Sequence, residues 1–194
     1  MPFVSYFALL LVAIAAALYA AIMYNGLVRL QNEIERAWAN IDVLLKQRHD
    51  EIPNLEACVK GYMIHERQTL EAVTAARAAS TRASSISQKA QADMLMTTSL
   101  RSLFVVAEGY PQLKADQNFL ALQKRISELE ERVADRREFF NDDVNTYNTC
   151  IAQFPDVFLA RLLKLPPRDL FRIDERDRQQ AEVKLALARG QGNA

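Results

Sequence analysis

Two histidines, His49 and His65, and two cysteines, Cys58 and Cys150, are all that the chain offers a soft metal or a thiol reaction. Structural zinc sites draw four such ligands and catalytic ones usually three. The run His65-Glu66-Arg67-Gln68-Thr69 opens like a zinc-protease motif, but Thr69 stands where a second imidazole would grip the metal. Helical di-iron sites need a Glu three residues before each His, and Lys46 and Tyr62 occupy those places. Each cysteine sits in a helical pattern and reads as a small buried hydrophobe; a bridge between them is left open, because spacing alone does not decide it. No base accompanies either thiol. Five scattered glycines make no phosphate-cradling loop and no Gly-x-Ser-x-Gly turn. The expected catalytic, cofactor-binding and metal-ligating sets are therefore empty, with no cofactor, and the chain reads as a non-enzyme.

Excess charge is also missing. Lys and Arg number 24, as do Asp and Glu, so no global field would draw nucleic acid, which is not an expected partner. Glycine (5) and proline (6) are scarce, and no stretch alternates with period two and β-branched enrichment. The expectation is an all-α protein rich in good helix formers.

What is present begins with a long apolar run. From Met1 to Val28 no side chain is formally charged, and Phe3 to Met23 is broken only by Ser5, Tyr6 and Tyr19. Those 21 residues cover about 31 Å as a helix, against a hydrocarbon core of about 30 Å. A cleaved signal peptide fits less well, since a basic n-region is lacking and the run exceeds a usual h-region. As charges enter at Arg29, Leu27, Leu30, Ile34, Ala37, Ile41 and Leu44 keep a 3,4 spacing, a heptad seam of coiled-coil type. Only Gly26 falls between the two halves, and a helix tolerates it at about 1 kcal/mol. One helix from Phe3 to about Glu51 is thus predicted, leaving lipid as the first stave of a soluble bundle. Arg29 and Arg36 tilt the positive-inside rule towards a cytosolic bulk over a periplasmic or extracellular one.

Within the span, Ala13, Ala17 and Ala21 form a small-xxx-small line that suits close helix packing; alanine as neutral filler is the bland alternative. Tyr19 and Tyr24 suit an interfacial belt, whereas Trp38 lies too far along and is expected to pack between bundle helices. Ile52-Pro53-Asn54 predicts a kink or break. A second helix then carries Leu55, Val59, Tyr62, Leu70, Val73 and Ala76, with Gly61 inside it at a close contact. Ser80 to Ser87 reads as a connecting turn, and a third helix runs from about Gln88 to Glu108, stopped by Gly109-Tyr110-Pro111. The fourth keeps its seam from Phe119 to Phe154, with Arg136 on it either snorkelling or pairing with a carboxylate on a facing helix. Asn141 and Asn148, seven apart, either form a register-fixing layer or an inter-subunit contact, or are plain surface amides. Glu128 to Glu138 reads as a solvated charged face. Asp156 to Leu165 suggests a short amphipathic helix and Phe171 a last anchor. Residues 173–194 read as a charged, mobile tail.

Several blocks together resemble the LemA family of bacterial membrane proteins: Tyr24-Asn25-Gly26-Leu27-Val28, Ala37-Trp38, Ile41-Asp42-Val43 with Lys46 and Arg48, Ile52-Pro53-Asn54-Leu55, Val59-Lys60-Gly61-Tyr62 and His65-Glu66. The second half agrees through Ala107-Glu108, Tyr110-Pro111, Leu113-Lys114-Ala115, Phe119, Leu122-Gln123, Tyr147-Asn148 and Phe154-Pro155. Phe140-Asn141 and Glu56 depart from the family's commoner residues. The resemblance covers about residues 24 to 172. It implies a single-pass anchor (1–25) and an antiparallel four-helix bundle (26–172), and it brings no defined enzymatic activity. A related branch occurs among magnetosome membrane proteins.

The resulting expectation is a non-enzymatic, single-pass scaffold of the bacterial inner membrane. Its partners would be the lipid bilayer, further copies of itself as a homo-oligomer, and an unidentified membrane or cytosolic protein. Self-association would use Ala13, Ala17, Ala21, Trp38, Asn141 and Asn148. The alternative is a sensor or adaptor that binds a small ligand or peptide between helices, with Tyr62 and Tyr110 (and Trp38) lining the site.

Overall fold

The computed structural model describes residues 2–172, apart from the side chains of Pro2 and Val4. The charged segment 173–194 lies outside the described residues. Among them there are six helices and no strand: α1 (Pro2–Lys60), α2 (Arg67–Arg82), α3 (Ile86–Ala107), α4 (Pro111–Lys114), α5 (Gln117–Ala152) and α6 (Asp156–Leu162). The described residues divide into two compact units, one of 2–40 with 138–169, the other of 41–137 with 170–172.

α1 corrects one expectation. It passes through Pro53 without a break and ends only at Lys60. An interior proline costs a helix about 3 kcal/mol. Ile52, Leu55 and Val59 share one fully buried face of this stretch. Burying each such side chain contributes about 1.5–3 kcal/mol, so packing outweighs the proline. Leu55 and Val59 therefore belong to α1 and not to the second helix. Gly61 lies in the turn between α1 and α2, where a Cβ would meet nothing within 4 Å, so it marks no close helix contact.

In the larger unit, every long element feeds one core. α1 gives Ile52, Leu55 and Val59; α2 gives Val73 and Ala76; α3 gives Met96, Leu100, Leu103 and Ala107; α5 gives Phe119 and Ile126. Short α4 adds Leu113, and Phe104 meets Phe119 edge-on at 6.2 Å. Directions follow from side-chain pairs. Glu56 accepts a hydrogen bond from Thr74 at 2.9 Å as α2 returns along α1. Asp42 pairs with Lys89 and Arg48 with Asp93, so α3 runs with α1. Leu44 clusters with Leu129 and Val133 while Glu51 meets Arg125 at 2.8 Å, so α5 runs against it. The turn before α3 is fixed by a capping box: Ser85 Oγ accepts from the Gln88 N–H at 3.1 Å and Gln88 Oε1 accepts from the Ser85 N–H at 3.3 Å.

In the smaller unit, α1 up to Asn40 lies antiparallel to the last part of α5. Gln31 Nε2 donates to Tyr147 Oη at 3.3 Å, and the Trp38 and Phe140 rings sit 5.5 Å apart. Leu27, Ile34, Phe140, Val144 and Tyr147 are buried here. The seam of α5 stops short of the expected Phe154, which is exposed beyond the helix end. After α6, Lys164 takes a positive φ of 52° and the Leu165 N–H bonds to Ala160 O at 2.9 Å, a left-handed turn that reverses the chain.

Candidate functional site

The first candidate is the apolar stretch of α1. Between Phe3 and Tyr24 most of the described large apolar side chains, Phe7, Leu11, Leu18 and Ile22 among them, are exposed. A sheath of this extent is far larger than the apolar patches a soluble monomer carries. The helix is long and apolar enough to cross a membrane. Ala13, Ala17 and Ala21 are exposed along it.

The second candidate lies in the larger unit. Arg48 and Asp93 are its buried charged residues, and their side chains pair directly. The Arg48 guanidinium also donates through Nη1 to Thr97 Oγ1 at 3.1 Å. Glu130 Oε1 stands 3.6 Å from the same nitrogen and, though buried, accepts no hydrogen bond. Burial pushes the Glu130 carboxyl above its ordinary range and the Asp93 charge adds to this, while Arg48, Thr97 and Arg101 oppose it. A groove of about 220 Å³ opens beside the cluster. Leu45, Ala92 and Met96 supply its apolar lining; Lys46, His49, Ser80, Thr81 and the Asp42–Lys89 pair supply the polar one. His49 is thus a half-buried groove residue. Asp93 carried no sequence signal, because a lone acid among Ala, Met and Leu on a helix reads as surface. Arg48 stood out only through the family resemblance.

Tyr62 and Tyr110 do not line this groove. Tyr62 Oη donates to Asp116 Oδ2 at 3.2 Å and Tyr110 Oη to Glu66 Oε1 at 2.9 Å, tying the loop that follows α1 to the links on either side of α4. Both phenols are pushed up by these carboxylate partners, and the Phe119 and Asn118 N–H groups hold Asp116 down. Trp38 packs on Phe140. Asn148 clamps its own chain: its Nδ2 donates to Arg168 O at 2.9 Å and its Oδ1 accepts from the Arg168 N–H at 2.8 Å. Asn141 is half-buried beside Phe140 in sequence. Cys58 and Cys150 are free thiols, each pushed up chiefly by burial and further by Asp116 and Asp156 respectively, the opposite of nucleophile activation. Among the described residues no group of three His, Cys, Asp or Glu side chains is placed to hold a metal ion.

The family model of LemA matches residues 37–185, most of the chain. The chain belongs to the LemA family. The matched range takes in the buried Arg48 cluster and α6, and begins after the apolar stretch. This LemA-family chain is also 30% identical to the magnetosome protein MamQ of Magnetospirillum gryphiswaldense over 63 residues, 32% of the chain and 23% of the relative. It is 34% identical to magnetosome proteins MamQ 1 and MamQ 2 of Paramagnetospirillum magneticum over 61 residues, 31% of the chain and 22% of each relative. The match spans less than a quarter of the length of these curated relatives.

Proposed function

We propose that this LemA-family protein is a non-enzymatic scaffold, held in the bacterial inner membrane by a single pass and self-associating there. Its cytosolic part is an antiparallel four-helix bundle of α1, α2, α3 and α5. The observation that carries this reading is the exposed apolar sheath of Phe3–Tyr24 on the same helix that supplies Ile52, Leu55 and Val59 to the soluble core. Lipid would cover the sheath. The Ala13, Ala17, Ala21 line offers a flat strip for a second span. The similarity to magnetosome proteins fits a role in arranging a membrane or its proteins. Crosslinking in native membranes tests self-association: a ladder of multiples is expected, and monomer alone at natural abundance contradicts it.

A second reading, a sensor or adaptor, is favoured by the groove beside Arg48, where an apolar floor meets Lys46 and His49. Ligand-dependent thermal stabilisation, lost in Met96→Trp, distinguishes it from the scaffold reading.

A further inference from the structure

We infer that α6 is a second membrane contact, lying on the bilayer surface with Phe154, Phe158 and Leu162 inserted among the lipid headgroups. The inference rests on the reading of Phe3–Met23 as a span. Three observations within the smaller unit carry it. First, Phe158 and Leu162 stand four apart in α6 and so share one face of it, while Phe154 lies just before the helix. They are 80%, 63% and 78% exposed, on a segment whose one buried residue is Ala160. The Phe154 and Phe158 rings contact each other edge-on at 5.9 Å, which makes a continuous apolar ridge.

Second, the ridge stands at the level where the span ends. Gln31 lies opposite Tyr147 and Trp38 opposite Phe140, so α5 descends one residue for each that α1 climbs. Continued at that register, Ala152 falls level with Gly26, and α6 begins four residues later. The chain then turns back: Pro166 O accepts from Tyr147 Oη at 3.2 Å, and Arg168 reaches Glu35 at 3.7 Å. The loop 153–165 is thus the tip of this unit nearest to Tyr24, at the end of the apolar run.

Third, the ridge is flanked by the exposed cations Arg161 and Lys164, with Asp156 the one acid between Gln153 and Leu165. Apolar side chains beside Lys and Arg are what an anionic lipid surface binds. Lys164 keeps its cation at a positive φ, where glycine would be the easier residue. A protein partner of opposite character is the competing occupant, and continuity with the span favours lipid.

The test uses the full chain in vesicles of phosphatidylethanolamine and phosphatidylglycerol, with Cys58→Ser and Cys150→Ser as background. An environment-sensitive fluorophore is attached through Phe158→Cys, through Leu162→Cys as a second probe should the first perturb the fold, and through two references. Ile14→Cys reports the span, and Asn40→Cys sits about 24 Å of helix beyond Tyr24. The α6 probes are expected to shift to the blue and to be quenched more by nitroxide lipids labelled near the headgroup than near the chain end. Ile14→Cys should show the reverse order and Asn40→Cys no quenching. Replacing phosphatidylglycerol by phosphatidylcholine should weaken α6 quenching only. If the α6 probes behave like Asn40→Cys while Ile14→Cys is quenched, the inference is overturned and the span stands. If Ile14→Cys is also unquenched, the span reading fails and the inference with it. A blue shift without quenching by either lipid would mean that protein covers the ridge, which also overturns the inference.

Discussion

Arg48 is the residue on which the larger unit's polar interior turns. Its guanidinium serves Asp93, Thr97 and the nearby Glu130 at once. Removing it leaves the buried Asp93 without its ion-pair partner and takes the nearby cation from half-buried Glu130. Breaking a buried pair from one side costs about 3–5 kcal/mol, so Arg48→Met should lower stability by that order in denaturant unfolding followed by circular dichroism. A loss below about 1 kcal/mol would mean that water reaches the cluster. Glu130 gives a sign that can be read against pH. Its carboxyl is raised by burial, so the folded state holds the proton more tightly than the unfolded chain does. The charged form is therefore a cost at neutral pH, relieved as pH falls through the raised value towards its ordinary 4.5. Glu130→Gln should be more stable than the parent above that window, and the gap should close within it. A gap that widens on acidification contradicts the assignment.

Elements show where sequence patterns decide and where packing does. The heptad seam of α1 was legible because Leu27, Ile34, Ile41 and Leu44 recur at helical spacing and are all buried. The capping box at Ser85 and the chain reversal after α6 depend on short-range geometry; pattern placed those boundaries only to within a few residues. Pro53 misled for a physical reason: a local rule predicts a break, and three fully buried neighbours on one face override it. Pro53→Ala should therefore stabilise the protein by about 1–3 kcal/mol in thermal unfolding, since it restores an interior N–H and removes ring crowding. Destabilisation would show that the ring's own packing matters more. The Arg48–Asp93 pair lay beyond pattern, because the partners sit 45 residues apart on different helices and neither breaks its helix's periodicity.

At the scale of the whole molecule, a single-pass scaffold requires one helix with two solvents. Between Phe3 and Tyr24 side chains such as Phe7, Leu11, Leu18 and Ile22 face outward, and from Leu27 onward a stripe of Leu27, Ile34, Ile41 and Leu44 is buried in protein. Composition made the change visible between Met23, where the apolar run ends, and Arg29, where a stripe set among charges begins. The proposed self-association had no such signature, because alanine is both a packing strip and a neutral filler; the crosslinking ladder tests it. The central claim is tested most directly by a cysteine scan of α1 in native membranes, one position at a time from Phe3 to Asn40, on the Cys58→Ser, Cys150→Ser background. Labelling by a water-soluble maleimide should fail across the apolar run and appear beyond a single boundary near Asn25, at exposed positions such as Asn32, Glu35 and Ala39. Labelling in the middle of the run, at Ile14 or Ala17, would contradict the account.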